Sequence, residues 1–183
     1  MSVTREEINI IVQEVLKAIQ ASGISAGTAG TSSTSQNKPQ NGIFETVDEA
    51  VKAAGEAQKH LLELTLKTRE AIIANIRKRT AERVEELAKL AHEETGYGRV
   101  DDKIQKNLLA INKTPGIEDL HPTAYSGDHG LTLVELAPYG IIGAITPSTN
   151  PSETIICNSI GMIAAGNSVV FAPHPAAARV SQL

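Results

Sequence analysis

Residues Tyr139–His174 read YGIIGAITPSTNPSETIICNSIGMIAAGNSVVFAPH, and this stretch decides the fold. Ile141-Ile142-Gly143-Ala144-Ile145 is a short apolar run rich in β-branched side chains, the composition of a strand buried in a parallel sheet. Turn-forming residues follow, Thr146-Pro147-Ser148-Thr149-Asn150-Pro151. A helix is expected over Ser152–Ala165, stopped by Gly166-Asn167. A second apolar run, Ser168-Val169-Val170-Phe171, then ends at Ala172-Pro173-His174-Pro175. Strand, loop, helix and strand make a βαβ unit, so the fold class is α/β with a parallel sheet. Ligands of such sheets gather at the carboxyl ends of the strands, which makes Thr146–Pro151 and Ala172–Pro175 the candidate ligand loops. No glycine fingerprint for a pyrophosphate and no Walker sequence is present. The first N–H groups of the helix near Ser152 are the remaining anion-binding feature. A structural βαβ unit without a ligand has the same pattern, so pattern alone leaves both readings open.

The composition narrows the function class. The 183 residues carry a net charge of −4 and are 3% aromatic, which gives neither the electrostatics nor the stacking surface for a nucleic-acid partner. The single cysteine excludes an internal disulfide and suits a reducing compartment. No run has the apolar length of a membrane span, and Glu6, Glu7 and Glu14 interrupt any signal-like core, so a soluble, cytoplasmic protein with no membrane partner is expected. The histidines His60, His92, His121 and His129 show no metal-ligand spacing, and no metal is expected.

Upstream, residues 1–21 read as an amphipathic helix with its apolar face on Ile8, Ile11, Val12, Val15 and Ile19 and a capping box at Thr4 and Glu7. Residues 22–42 are rich in Gly, Ser, Thr, Asn and Gln with one sizeable apolar residue, Ile24, and are expected to be a flexible linker. A tethered helix of this length needs a partner for its stripe. It either packs on its own domain or an oligomer neighbour, or docks to another protein. The folded part spans residues 43–183. Thr46 and Glu49 start a helix over Val47–Gln58, and a single long helix is expected from about Thr65 to Glu94, ended by Gly96. Its charges, Arg77, Lys78, Arg79, Glu82, Arg83, Glu85 and Glu86, read as a solvated face. A third helix starts at Asp101-Asp102 and breaks at Pro115-Gly116; Gly127–Gly130 is a turn, and Leu131–Leu136 a strand. Cys157, set among Ile155, Ile156 and Ile160, reads as an inert packing residue.

TPSTNP, IAAGNS and FAPHPAA, with the gap from Pro151 to Asn167, resemble the aldehyde dehydrogenase superfamily, whose members carry a PWNFP-like loop, a helix and an AAGN-VV strand. The resemblance is to the CoA-acylating branch and extends back through NKTPGIEDL, DDKIQKN and EETGYGR to about Ile43. It implies an aldehyde dehydrogenase-like fold: an incomplete Rossmann-type parallel sheet with an N-terminal helical layer. Only two core strands are available, so residues 43–183 are expected to be the amino-terminal part of a longer NAD-binding domain.

The same resemblance implies NAD-dependent oxidation of a short-chain aldehyde, acetaldehyde or propionaldehyde, through a cysteine thioester that coenzyme A resolves to acyl-CoA. The nucleophilic cysteine is expected beyond this chain, which by itself is then inactive. By position, the oxyanion loop is Thr149 and Asn150, with Asn150 the expected donor or else the residue that holds the turn before Pro151. The cofactor-binding residues are Ile145, Thr146, Pro147, Ser148, Ala172, Pro173 and His174. His174 either packs against an adenine or hydrogen-bonds a ribose, or else shapes the turn between Pro173 and Pro175. Ala172 and Pro175 stand where many aldehyde dehydrogenases carry a lysine and a glutamate for the adenosine ribose. The first helix resembles the encapsulation peptides of bacterial microcompartment enzymes, which implies a shell-protein partner through residues 1–21 and a place in the microcompartment lumen; the family resemblance implies a homo-oligomer for the full-length protein. Two alternatives stand beside this: a non-enzymatic shell-docking module, and a dehydrogenase that releases free acid by hydrolysis.

Overall fold

The computed structural model describes residues 42–183; the helix and linker expected over residues 1–42 lie outside the described residues, apart from Gly42. Six helices and four strands follow: α1 Val47–Glu63, α2 Leu66–Glu82, α3 Val84–Thr95, α4 Val100–Lys113, β1 Thr123–Gly127, β2 Gly130–Val134, β3 Ile141–Thr146, α5 Pro151–Ala164, β4 Ser168–Pro173 and α6 Ala178–Gln182. Strands β3 and β4 pair in parallel from Ile141 opposite Ser168 to Thr146 opposite Pro173. The βαβ unit is therefore present, with the expected helix moved by one residue and the second strand two residues longer.

Helix α5 is apolar on nearly every side, so it has to be covered on nearly every side. The sheet takes one flank, and α2 and α4 take the others. The resulting core joins Ile73, Ala110, Ile111, Ile156, Ile160 and Ala164, with Cys157 packed at its margin. Thr114 Oγ1 donates to Cys157 Sγ at 3.1 Å, and the thiol is half-buried. A second cluster of Leu87, Ala91, Ala177 and Val180 seats the chain after β4 against α3. There Glu94 caps α6 by accepting from the Arg179 and Val180 N–H groups, both at 2.8 Å.

The end of α5 explains the AAGN sequence physically. Gly166 takes φ +77°, its N–H bonds to Ile163 O at 3.0 Å, and Asn167 N–H bonds to Met162 O at 2.7 Å. This paired return closes a helix and favours glycine at the left-handed position. The Asn167 side chain then accepts from Gly140 N–H at 2.9 Å, fixing the start of β3 beside the start of β4. Helix α1 completes the clamp: buried Gln58 donates to Gly166 O at 2.8 Å and accepts from Ser168 N–H at 2.7 Å.

Three expectations change. The single helix from Thr65 to Glu94 is two helices, broken at Arg83 (φ −114°, ψ 12°). Ile73, Ile76 and Val84 face the first cluster, whereas Leu87 and Ala91 face the second, and the break lets one stretch serve both. Arg77 is not part of a solvated face. Its guanidinium donates to Ile111 O and Thr114 O, each at 2.8 Å, and neutralises the carbonyl end of α4. The strand near Leu131 spans Gly130–Val134 rather than Leu131–Leu136, and Thr123–Gly127 pairs with it in an antiparallel hairpin closed at Gly127 and Gly130. No helix among the described residues is long and apolar enough to cross a membrane.

Ile160 is fully buried at the centre of the α5 packing, whereas Ile145 is 90% exposed. Ile160→Ala should cost about 2–5 kcal/mol, and Ile145→Ala no more than about 0.5 kcal/mol. Urea unfolding of the two variants, followed by far-UV circular dichroism, measures the difference.

Candidate functional site

The parallel register brings both candidate loops to one rim. Ile145 stands opposite Ala172 and Thr146 opposite Pro173, and His174 N–H continues the ladder to Thr146 O at 3.0 Å. Ile145, Thr146, Pro147, Ser148, Ala172, Pro173 and His174 thus lie together at the carboxyl end of the two strands. Thr149 and Asn150 lie further along the first loop.

Side chains alternate across the sheet, so Ile145 and Ala172 share one face, and both are exposed. They make an apolar shelf that carries no charge. Such a shelf offers a flat apolar surface, and neither of its two side chains can form a hydrogen bond. Thr146 points the other way and is buried, its hydroxyl without a hydrogen-bond partner among the described residues. His174 has one nitrogen engaged: Nδ1 accepts from Ala176 N–H at 3.1 Å and starts the 3-10 turn Pro175–Ala177. The turn-shaping role is thus visible, and because Nδ1 accepts, the proton of a neutral ring sits on Nε2.

The anion site expected at the start of α5 does not form. Pro151, Ser152 and Glu153 are all buried, and the Glu153 carboxylate sits in that first turn. Burial and a negative charge both oppose an anion there.

What occupies the first turn instead is α4. Its residues Lys103, Lys106 and Asn107, at spacings that put them on one helix face, contact the loop and the helix start in succession. Lys103, 3% exposed, directs its ammonium to Thr149 O at 3.3 Å. Lys106 donates to Asn150 Oδ1 at 3.2 Å. Asn107, fully buried, accepts from Ser152 Oγ at 2.9 Å. Asn150 keeps its own backbone carbonyl for Thr154, whose N–H and hydroxyl donate to it at 3.1 and 2.7 Å. The Asn150 side chain makes no cap to α5, which leaves its amide for other use.

Sequence reasoning did not single out Lys103, Lys106 or Asn107. A signal was present: Lys103 and Asn107 interrupt the apolar stripe that continues through Ala110 and Ile111, and a polar residue on a buried stripe needs a partner.

The model of the aldehyde dehydrogenase family matches residues 30–183. An acetaldehyde dehydrogenase (acetylating) from Bilophila wadsworthia (strain 3_1_6) is 48% identical over 183 residues, covering 100% of this chain and 37% of that protein. A propionaldehyde dehydrogenase from the Clostridium phytofermentans fucose utilisation bacterial microcompartment superposes with a TM-score of 0.75 at 57% identity, covering 78% of this chain and 33% of that one. The Rhodopseudomonas palustris propionaldehyde dehydrogenase with bound propionyl-CoA gives a TM-score of 0.76 at 52% identity, covering 85% of this chain and 35% of that one. The chain therefore spans little more than a third of the length of these relatives. Since the family model takes in both rim loops and every described element, the chain belongs to the aldehyde dehydrogenase family.

Proposed function

We propose that residues 43–183 form one wall of the active site of a CoA-acylating aldehyde dehydrogenase acting on a short-chain aldehyde, acetaldehyde or propionaldehyde. The observation that carries this reading is the meeting of Thr146–Pro151 and Pro173–Pro175 at one sheet rim, with the Thr149-Asn150 end of the first loop held by α4. Two relatives, named as an acetylating acetaldehyde dehydrogenase and as a propionaldehyde dehydrogenase with bound propionyl-CoA, support the acyl-CoA product. The apolar shelf of Ile145 and Ala172 would hold NAD, which when bound supplies the hydride acceptor. It would accept coenzyme A as well, because no ribose-specific side chain selects between the two nucleotides.

The protein's part in the chemistry is electrostatic and positional. When a thiolate adds to an aldehyde, negative charge develops on the carbonyl oxygen. Asn150 Nδ2 donates to that oxygen and Thr149 fixes the loop beside it. The thiolate belongs to sequence other than residues 1–183. Cys157 is not that group: it lies in the core margin against Thr114.

Three tests follow. The full-length enzyme should convert acetaldehyde or propionaldehyde and NAD to acyl-CoA only when CoA is present, whereas residues 1–183 alone should reduce no NAD. Equal acid formation without CoA, read by chromatography of the products, would instead identify a hydrolytic dehydrogenase. Asn150→Ala should lower kcat by roughly 10²-fold, the usual loss for one oxyanion donor, as measured by the rate of NADH formation.

The docking role belongs to the same proposal. The apolar residues Ile8, Ile11, Val12, Val15 and Ile19, at helical spacing in the sequence, would bind a microcompartment shell protein and so place the enzyme in the lumen of a cytoplasmic compartment. The exposed apolar residues of the hairpin, Tyr125, Leu131 and Leu133, support a homo-oligomer assembled through it. A fluorescent reporter carrying residues 1–20 should collect in foci in shell-producing cells; microscopy showing it dispersed would remove the docking role.

A further inference from the structure

We infer that Lys106 is a positioning residue that decides which end of the Asn150 amide faces the substrate. This rests on the reading of Asn150 as the oxyanion donor and adds the group that orients it.

The chemistry is one of obligate donors. An ammonium has three N–H donors and no acceptor, so it binds the oxygen end of an amide and never the nitrogen end. Lys106 Nζ lies 3.2 Å from Asn150 Oδ1. The amide is planar, and fixing Oδ1 on Lys106 turns Nδ2, with both of its hydrogens, away from α4. Without the lysine the two ends of the amide have nearly the same shape and can exchange by rotation. One orientation presents a donor to a developing oxyanion, and the other presents a lone pair that repels it. A cation on Oδ1 also draws electron density from the amide and makes Nδ2–H the better donor.

One neighbouring contact keeps Lys106 free for this task, and two others fix the chain around Asn150. Asp102, one turn before it on α4, is held in a two-point pair by Arg99, with Nε to Oδ2 at 2.8 Å and Nη2 to Oδ1 at 3.1 Å. The Arg99 hydrogen bond holds the Asp102 carboxyl below its ordinary value, with a smaller part from Lys106. Lys103, three residues before Lys106 on the same face, pins the Thr149 carbonyl, so the backbone ahead of Asn150 is fixed as well. Buried Asn107 binds Ser152 just after it. With the chain held on both sides, rotation about the Asn150 side-chain bonds is the motion left, and Lys106 is the group that selects its outcome.

The test is a charge series at position 106 in the full-length enzyme, each variant made with Asn150 and with Asn150→Ala, reading kcat and KM for the aldehyde. Lys106→Met should lower kcat about tenfold, as for losing one charge-assisted hydrogen bond, with KM little changed. Lys106→Arg, another obligate donor, should keep most of the activity. Lys106→Glu should be worse than Lys106→Met, because a carboxylate accepts from Nδ2 and turns Oδ1 toward the substrate. In the Asn150→Ala background all three substitutions should have no further effect.

Equal kcat for Lys106→Met and the parent enzyme, while Asn150→Ala is impaired, overturns the inference and leaves the oxyanion reading intact. A Lys106→Met loss that persists in the Asn150→Ala background also overturns it. An Asn150→Ala enzyme with full kcat removes the oxyanion reading itself, and the inference with it. A second readout needs no turnover. In ¹⁵N-labelled residues 1–183, the Asn150 side-chain amide signals, identified by their loss in Asn150→Ala, should move in Lys106→Met and hold in Lys106→Arg. Signals that ignore both changes overturn the inference.

Discussion

Helix α5 has apolar residues around most of its circumference, and the rest of the fold answers that constraint. A helix of this kind has no solvent face to offer, so its neighbours must supply cover on several sides at once. The sheet of β3 and β4 lies on one flank, and α2 and α4 lie on the others, meeting at Ile73, Ile111, Ile156 and Ile160. Covering α5 with α4 has a consequence for chemistry: it presses α4 against the loop that enters α5. Lys103, Lys106 and Asn107 reach Thr149, Asn150 and Ser152 because hydrophobic packing has already brought the two helices together.

The two ends of the sheet are treated differently. At the amino end, Gln58 and Asn167 bind the starts of both strands and the end of α5 through side-chain amides. These bonds satisfy backbone groups that would otherwise be buried unpaired, and they fix the register. At the carboxyl end the strands run out into two proline-containing loops with an exposed shelf between them. A rigid base with an open rim is the arrangement that lets a βαβ unit hold a ligand without rebuilding its core.

Much of this was legible in the letters. The βαβ unit, the stop at Gly166-Asn167, the cap at Thr46 and the two rim loops all follow from short-range rules: apolar runs of strand length, turn residues and capping side chains. The errors came where a local rule had to yield to a distant partner. Helical spacing continues through Arg83, yet the helix breaks there because two clusters in different places need its two halves. Arg77 looks like one more charge on an exposed face, yet it binds carbonyls of Ile111 and Thr114, 34 and 37 residues away. Thr123–Gly127 has weak strand propensity and forms a strand because Gly130–Val134 lies beside it.

The sequence by itself determined the class of fold and the position of the two loops, since periodicity and turn chemistry act between neighbours in the chain. The aldehyde dehydrogenase motifs likewise marked the loop that carries Thr149 and Asn150. Only the tertiary structure decided that α4 grips that loop and that the start of α5 is closed to anions. Those outcomes depend on which helix face packs where, a choice made by burial of the whole apolar surface of α5 rather than by any residue near the loop.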